Sequence, residues 1–131
     1  IVAVLVNKTK KSLFTVDERM QMIAEVTSNF TNVKVESWSG LLVDYCEANG
    51  IQAIVKGLRA VTDFDYELQM SQMNLQLKGV ETLFMSTAPA HSFLSSSLVK
   101  EIAAYDGDIS GYVPAPLVER VKKALAANES K

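Results

Sequence analysis

The sequence predicts an α/β protein with a parallel β-sheet and helices on both faces. Strand-like segments recur at 1–6, 33–37, 52–56 and 81–85. The first is wholly apolar, 33–37 alternates apolar and polar residues, and 52–56 contains the branched pair Ile54 and Val55, which is typical of a buried strand. Segments whose apolar residues have helical spacing separate these runs. Strands that alternate with helices pair in parallel through right-handed crossovers, so the predicted order is β-α-β-α-β-α-β.

The composition bounds the size and the class of the protein. A chain of 131 residues that is 48% apolar can bury one core, so we expect a single domain over 1–131. A formal net charge of -2 without a basic run argues against nucleic-acid binding. We find no apolar run of bilayer length and no leader sequence, and therefore expect a soluble, cytoplasmic protein without membrane contact.

The first elements have clear local signals. The run from Ile1 to Val6 is wholly apolar and resembles an internal strand, which suggests that an earlier β-α unit is missing from the sequence. A basic loop over 7–12 follows it. Thr15 and Glu18 have the spacing of a capping box, which predicts a helix from there to about Ser28.

The middle of the chain contains two further helices. Ser39-Gly40 ends the second strand, and a short helix over 41–48 ends in a left-handed cap at Asn49-Gly50. Thr62 is a candidate cap for a long helix over 63–77, which Lys78-Gly79 closes. We expect the following side chains of this helix to face the core: Phe64, Tyr66, Leu68, Met70, Met73 and Leu77.

The last third begins with serines. Ser95, Ser96 and Ser97 open a helix that runs to about Tyr105, and a turn over 106–108 follows. Two prolines flank the start of a final helix, whose predicted apolar stripe consists of Leu117, Val118, Val121 and Leu125.

Chemistry is concentrated in the stretch 54–67. Lys56 and Arg59 place positive charge at the end of a strand, where ligands of α/β sheets bind, and Gly57 lets a ligand approach the backbone. This pattern predicts an anion site, and the predicted ligand is phosphate. The alternative is an ordinary strand-to-helix turn with solvated Lys and Arg side chains.

Three polar segments should meet at one edge of the predicted sheet: the basic loop with Lys8, Lys10 and Lys11, the turn 56–59, and the serines that open a helix. Each has a plainer alternative, since surface lysines are usually solvated and serines cap helices without any ligand. Together they predict a polyanion site. Because no nucleophile pair accompanies them, direct phosphoryl or nucleotidyl transfer by positioning and charge neutralisation is favoured.

The remaining reactive side chains suggest no second chemistry. Cys46 has no nearby histidine and is expected to be a packed side chain. His91 lacks a partner at metal-ligand spacing, so we expect no metal held by the protein itself.

Three motifs stand out in the sequence: Lys-Gly-Leu-Arg with Asp-Phe-Asp-Tyr-Glu at 56–67, Leu-Gln-Met-Ser-Gln-Met-Asn at 68–74, and Ser-Phe-Leu-Ser-Ser-Ser-Leu-Val-Lys-Glu at 92–101. Together they closely resemble bacterial phosphopantetheine adenylyltransferases. The resemblance covers essentially the whole chain. It implies a Rossmann-like nucleotidyltransferase fold, usually in a homo-hexamer, which joins ATP and 4'-phosphopantetheine into dephospho-coenzyme A and pyrophosphate. It also implies Mg²⁺ held through the ATP phosphates.

The resemblance implies roles for individual residues. Lys10 would contact both the attacking phosphate and the ATP α-phosphate, and would form the catalytic set with Arg59 and Ser97. Leu42 and Lys56 would join Lys10 in binding phosphopantetheine. The implied ATP contacts are Gly57, Leu58, Arg59, Glu67, His91, Ser92, Phe93, Leu94, Ser95, Ser96 and Ser97.

One family motif is not in this sequence. Family members begin with a strand and a loop reading roughly Pro-Gly-Ser/Thr-Phe-Asp-Pro and then Gly-His, so the domain over 1–131 is expected to be N-terminally incomplete. If the protein truly starts at Ile1, we expect weak or no adenylyl transfer; if those residues are merely unrecorded, we expect full activity. The alternatives are another adenylyl- or cytidylyltransferase of the same fold, or a non-catalytic module that binds nucleotide or coenzyme A.

Overall fold

The computed structural model describes residues 1–6 and 11–129, without the side chains of Val61, Thr62, Asn128 and Glu129. In chain order the elements are β1 (Val2–Leu5), α1 (Val16–Val26), β2 (Val35–Trp38), α2 (Leu42–Ala48), β3 (Ala53–Leu58), α3 (Val61–Lys78), β4 (Glu81–Ser86), α4 (Ser96–Ala104) and α5 (Val118–Glu129). Short 3-10 helices cover Pro89–His91 and Ala115–Leu117. The predicted α/β class and the order of elements are confirmed.

The chain divides into two compact units. The first contains Ile1–Ser39 and the chain from Leu94 onward, and the second contains Gly40–Phe93. Each unit has one parallel pair of strands, β1 with β2 in the first and β3 with β4 in the second. The parallel pairing agrees with the β-α-β pattern of the sequence.

The first unit has its core where α4 and α5 meet the turn between them. Ile109, which is 0% exposed, packs with Ala103 and Val121. Half-buried apolar residues surround this cluster: Leu13, Phe14, Val99, Ile102, Val113, Val118 and Leu125. The predicted apolar stripe of the final helix is therefore confirmed. Leu117 and Val121 are buried, and Val118 and Leu125 pack against buried residues.

The second unit has a small core of Val43, Cys46 and Val80. Cys46 is 1% exposed, and this burial raises the pKa of its thiol. The prediction of a packed cysteine is confirmed, and the raised pKa disfavours the thiolate that a nucleophile requires. On the same face of the β3–β4 pair, Phe64 of α3 meets Phe84 of β4 edge to face at 5.6 Å between ring centroids.

Local hydrogen bonds hold the helix ends as predicted. The Thr15 hydroxyl accepts a bond from the Glu18 amide at 3.2 Å, and the Glu18 carboxylate accepts one from the Thr15 amide at 2.7 Å. Gly79 ends α3 with a φ of 66°, a left-handed conformation that glycine adopts without strain. These bonds fix where α1 begins and where α3 ends.

The start of α3 differs from the prediction. The helix begins at Val61 with Ala60 as its N-cap residue, and Ala60 makes no side-chain cap hydrogen bond. Thr62 therefore lies inside the first turn, and the prediction that it caps the helix is wrong. The strand before it is also longer than predicted, because Gly57 and Leu58 continue the parallel register with β4.

The packing of α3 also corrects the sequence prediction. Tyr66 is 65% exposed, and Met70, Met73 and Leu77 are exposed as well, whereas Asn74 is only 8% exposed. A helix turns by about 100° per residue, so Tyr66 points well away from Phe64, which packs on the sheet. Val55 in β3 is 61% exposed, so the expectation of a strand covered on both faces is wrong there.

Among the described residues, no helix combines the length and the apolar character that a bilayer crossing requires.

Candidate functional site

A cleft of about 280 Å³ lies in the second unit where β3 passes into α3. It is lined by Gly57, Arg59, Asp63, Tyr66 and Glu67. The carboxyl end of a parallel strand and the N-terminus of the following helix both border it, and such places favour anionic ligands. The structure thus brings together three of the residues that the sequence predicts for the nucleotide.

Two ion pairs organise the charges around this cleft. The Lys56 ammonium lies 3.2 Å from a carboxylate oxygen of Glu67, and Nε of Arg59 lies 3.3 Å from Oδ2 of Asp63. All four side chains are partly exposed. Each cation is therefore held by an acidic residue of α3, a pairing that the sequence analysis did not predict.

The end of β3 is tied to the loop after β4. The Leu58 carbonyl accepts hydrogen bonds from the amide and the hydroxyl of Thr87, at 3.0 Å and 3.2 Å. A Cβ at Gly57 would lie 3.6 Å from Thr87 Cγ2, an ordinary contact distance. Packing within the chain does not require glycine at this position, so ligand access remains the predicted reason for it.

The other predicted nucleotide contacts lie in the segment 91–97, from the end of the first 3-10 helix to the start of α4. His91 is exposed at the end of a 3-10 helix, and the Ser92 hydroxyl donates to the Pro89 carbonyl at 3.0 Å. Phe93 is exposed and Leu94 half-buried.

The three serines that follow have different positions at the start of α4. The Leu98 amide donates to the Ser95 hydroxyl at 3.1 Å, so Ser95 caps the helix. Ser96 and Ser97 are exposed in the first turn. Ser95 thus caps the helix, and the ligand roles of Ser95, Ser96 and Ser97 stay predictions.

Leu42, Lys10 and Ser97 are predicted site residues from other segments of the chain. Leu42 is half-buried in α2 and packs on the core of the second unit. Lys10 lies outside the described residues. Because Arg59 and Ser97 belong to different units, the predicted convergence of Lys10, Arg59 and Ser97 stays a prediction.

Asp63 and Tyr66 line the cleft although the sequence analysis did not select them as site residues. A signal for Asp63 was present, because Asp63 and Glu67 are spaced four residues apart and residues with this spacing share one side of a helix. Tyr66 had no such signal, since its aromatic ring was assigned to the core.

Comparisons with known proteins place the chain in a family. Residues 1–102 match the family model described as cytidylyltransferase-like. The chain is 58% identical over 130 residues to a phosphopantetheine adenylyltransferase of Frankia casuarinae, a match that covers 96% of this chain and 80% of that protein.

Two further relatives with the same name are similarly close. That of Streptomyces coelicolor is 57% identical over 124 residues, covering 95% of this chain and 78% of the relative. That of Thermobifida fusca is 56% identical over 126 residues, covering 96% of this chain and 77% of the relative. The chain belongs to the cytidylyltransferase-like nucleotidyltransferases and, among them, to the phosphopantetheine adenylyltransferase family.

Proposed function

We propose that this protein transfers the adenylyl group of ATP to 4'-phosphopantetheine, giving dephospho-coenzyme A and pyrophosphate in coenzyme A biosynthesis. The observation that carries the proposal is the identity of 56–58% to phosphopantetheine adenylyltransferases over nearly the whole chain. The cleft at the end of β3 supports it, because nucleotide sites of open α/β sheets lie at such strand ends.

In the proposed reaction, a phosphate oxygen of phosphopantetheine attacks the α-phosphorus of ATP in line. The new P–O bond forms as the bond between the α-phosphorus and the pyrophosphate oxygen breaks, and pyrophosphate leaves with that electron pair. Positioning and charge neutralisation suffice for this chemistry. We assign charge neutralisation at the α-phosphate to Lys10 and at the outer phosphates to Arg59, with Ser97 binding a phosphate oxygen at the start of α4.

We assign Lys56 and Leu42 to the phosphopantetheine arm. The ion pair with Glu67 supports a role for Lys56 in the site, because it ties the ammonium to the wall of the cleft. Leu42 offers an apolar side chain that is only half-buried in the core. Gly57, Leu58 and Glu67 are proposed nucleotide contacts, as is the segment 91–97.

Mg²⁺ is proposed to enter with the nucleotide, held through the ATP phosphates, where it neutralises phosphate charge. The residues of the cleft fit this arrangement. The two carboxylates there, those of Asp63 and Glu67, are each paired with a cationic side chain and are not needed as ligands of the ion. Across residues 1–6 and 11–129, no three His, Cys, Asp or Glu side chains are grouped as metal ligands. A magnesium ion that keeps its phosphate and water ligands needs no such group.

We further propose that the protein works in the cytoplasm as a homo-hexamer. Exposed apolar side chains in the second unit support self-association, since parallel sheets are normally covered on both faces; they include Val55, Leu83 and Met85 on one face of the β3–β4 pair. Light scattering should then give a mass of about six times the 14.4 kDa of the chain. A monomer at assay concentration would refute the hexamer.

The test of the reaction is pyrophosphate release with a panel of phosphorylated acceptors. We expect rapid release with 4'-phosphopantetheine and little with choline phosphate, glycerol phosphate or nicotinamide mononucleotide. A preference for one of the other acceptors would favour a different nucleotidyltransferase. Tight ATP binding without turnover on any acceptor would favour a binding module.

Arg59→Ala tests the assignment of the cleft. Loss of a charge-assisted hydrogen bond of about 1.5–3 kcal/mol predicts a fall in kcat/KM of roughly ten- to 150-fold. The matched control is Arg120→Ala, which removes an arginine of α5 that forms an ion pair with Glu25 of α1 at 3.0 Å. Equal activity of the two variants would remove Arg59 from the site.

A further inference from the structure

The ion pair between Arg59 and Asp63 joins the end of β3 to the first turn of α3. Nε of Arg59 lies 3.3 Å from Oδ2 of Asp63, and the two side chains are 40% and 37% exposed. The Asp63 amide donates to the Ala60 carbonyl at 3.2 Å, so the helix start fixes the backbone from which the carboxylate projects. Both residues line the cleft with Gly57, Tyr66 and Glu67.

The ion pair with Asp63 restricts the orientation of the Arg59 guanidinium. Arginine has a long side chain with many rotamers, but its guanidinium is planar and rigid, so a carboxylate that binds Nε limits the orientation of the whole group. The other carboxylate of the cleft, that of Glu67, lies on the Lys56 ammonium at 3.2 Å. The two acids thus have separate cations, and Asp63 restrains Arg59.

We propose that Asp63 is a positioning residue of the nucleotide site, which orders the guanidinium of Arg59 before the phosphates arrive. This inference rests on the proposed function, in which Arg59 binds the outer phosphates of ATP. A side chain that is already ordered loses less entropy when the ligand binds, so affinity rises without a new contact. Asp63 itself touches neither substrate.

Asp63 also has an electrostatic effect, which acts on ATP affinity in the opposite direction to positioning. A carboxylate beside a triphosphate repels it, and in that case the removal of Asp63 would tighten ATP binding. Water and salt screen this repulsion because both side chains are more than one third exposed. Positioning therefore dominates, and the direction of the change in the Asp63→Ala variant decides between the two effects.

The experiment compares Asp63→Ala, Asp63→Asn, Arg59→Ala and the double variant Asp63→Ala/Arg59→Ala with the wild type. ATP affinity is measured by calorimetry without acceptor, and kcat and KM by pyrophosphate release. We expect Asp63→Ala to weaken ATP binding and raise the KM for ATP by roughly three- to tenfold, the change that fits one immobilised side chain, with kcat altered less than twofold. Asp63→Asn retains an acceptor oxygen and should recover about half of this loss on a logarithmic scale.

The double variant separates positioning from a general structural effect. If Asp63 acts through Arg59, its removal has no further effect once Arg59 is alanine. Asp65→Ala is the matched control. Asp65 is an exposed acid two residues further along α3 that does not line the cleft, so this variant should bind ATP like the wild type. Should Asp63→Ala fail to fold, Asp63→Asn in the presence and absence of Arg59 gives the same comparison.

Unchanged or tighter ATP binding by Asp63→Ala in an active enzyme would overturn the positioning role and leave the proposed function intact. The same applies if Asp63→Ala weakens binding equally with and without Arg59. A wild type that binds ATP but forms no dephospho-coenzyme A would overturn the proposed function, while calorimetry would still decide the role of Asp63. A wild type that binds no ATP would overturn both.

Discussion

Ile109→Ala should destabilise the first unit more than any surface change. The side chain is 0% exposed and packs with Ala103 and Val121. The substitution removes three carbon atoms, worth about 2.4 kcal/mol at ~0.8 kcal/mol each, and the remaining cavity adds to this. We therefore expect the free energy of unfolding to fall by about 3–4 kcal/mol.

Thermal unfolding gives the assay. For 131 residues the entropy of unfolding is about 0.28 kcal/mol/K, so the expected loss lowers Tm by roughly 11–14 °C if the chain unfolds in one transition. The chain has one tryptophan, Trp38 at the end of β2, and its fluorescence reports on the same unit.

Two control variants bracket the Ile109 prediction. Ile109→Val leaves a smaller cavity and should lower the free energy of unfolding by about 0.5–1.5 kcal/mol. Tyr105→Ala removes a larger side chain that is 85% exposed, and its effect should stay within about 0.5 kcal/mol. If Ile109→Ala unfolded at the temperature of Tyr105→Ala, the assigned core would be wrong.

Three further predictions follow from single contacts. A Cβ at Gly107 would lie 2.5 Å from Ile102 Cγ2 and 2.8 Å from the Ile102 carbonyl oxygen, so Gly107→Ala should lower the free energy of unfolding by about 1–3 kcal/mol in urea titrations; a neutral effect would contradict this packing. Hydrogen bonds from Thr15 lower the pKa of Glu18 below its ordinary value of 4.5. The capping box therefore stabilises the protein above that pH and is lost as the pH falls through the lowered pKa, so the stability advantage of wild type over Glu18→Gln should shrink in acid; an advantage that grows in acid would refute the sign. Burial raises the pKa of the Cys46 thiol, so iodoacetamide should react with the native protein at least tenfold more slowly than with the urea-unfolded chain; equal rates would show that the thiol is accessible.

Local sequence signals predicted helix ends well because a few neighbouring residues determine them. The capping box of Thr15 and Glu18 and the glycine after Lys78 depend on hydrogen bonds and dihedral angles within one turn. The exception is the start of α3, where Ala60 is the N-cap residue without a side-chain bond. The helix thus has its N-cap two residues before the threonine that local preference favours.

The buried face of α3 could not be predicted from its apolar residues. Met73 and Leu77 are exposed and Asn74 is buried, although methionine and leucine are the usual core residues. Which side of a helix is covered depends on the elements around it, and the apolar residues of α3 are spread around the helix. Periodicity therefore identified the helix and left its orientation open.

The candidate site was predicted in part. Strand-end reasoning found Lys56, Gly57 and Arg59, because parallel strands present ligand contacts at their carboxyl ends. It did not find that acids of α3 hold both cations, since this depends on the rotation of the helix against the strand. Hydrogen bonding in the structure likewise separated Ser95, the cap, from the two serines that follow.

The most direct test of the proposed reaction follows the phosphates of ATP into the products. With ATP labelled at the α-phosphate and 4'-phosphopantetheine as acceptor, we expect the label in dephospho-coenzyme A and one unlabelled pyrophosphate per labelled product. Label in AMP alone, or transfer of the γ-phosphate to the acceptor, would contradict adenylyl transfer by this protein.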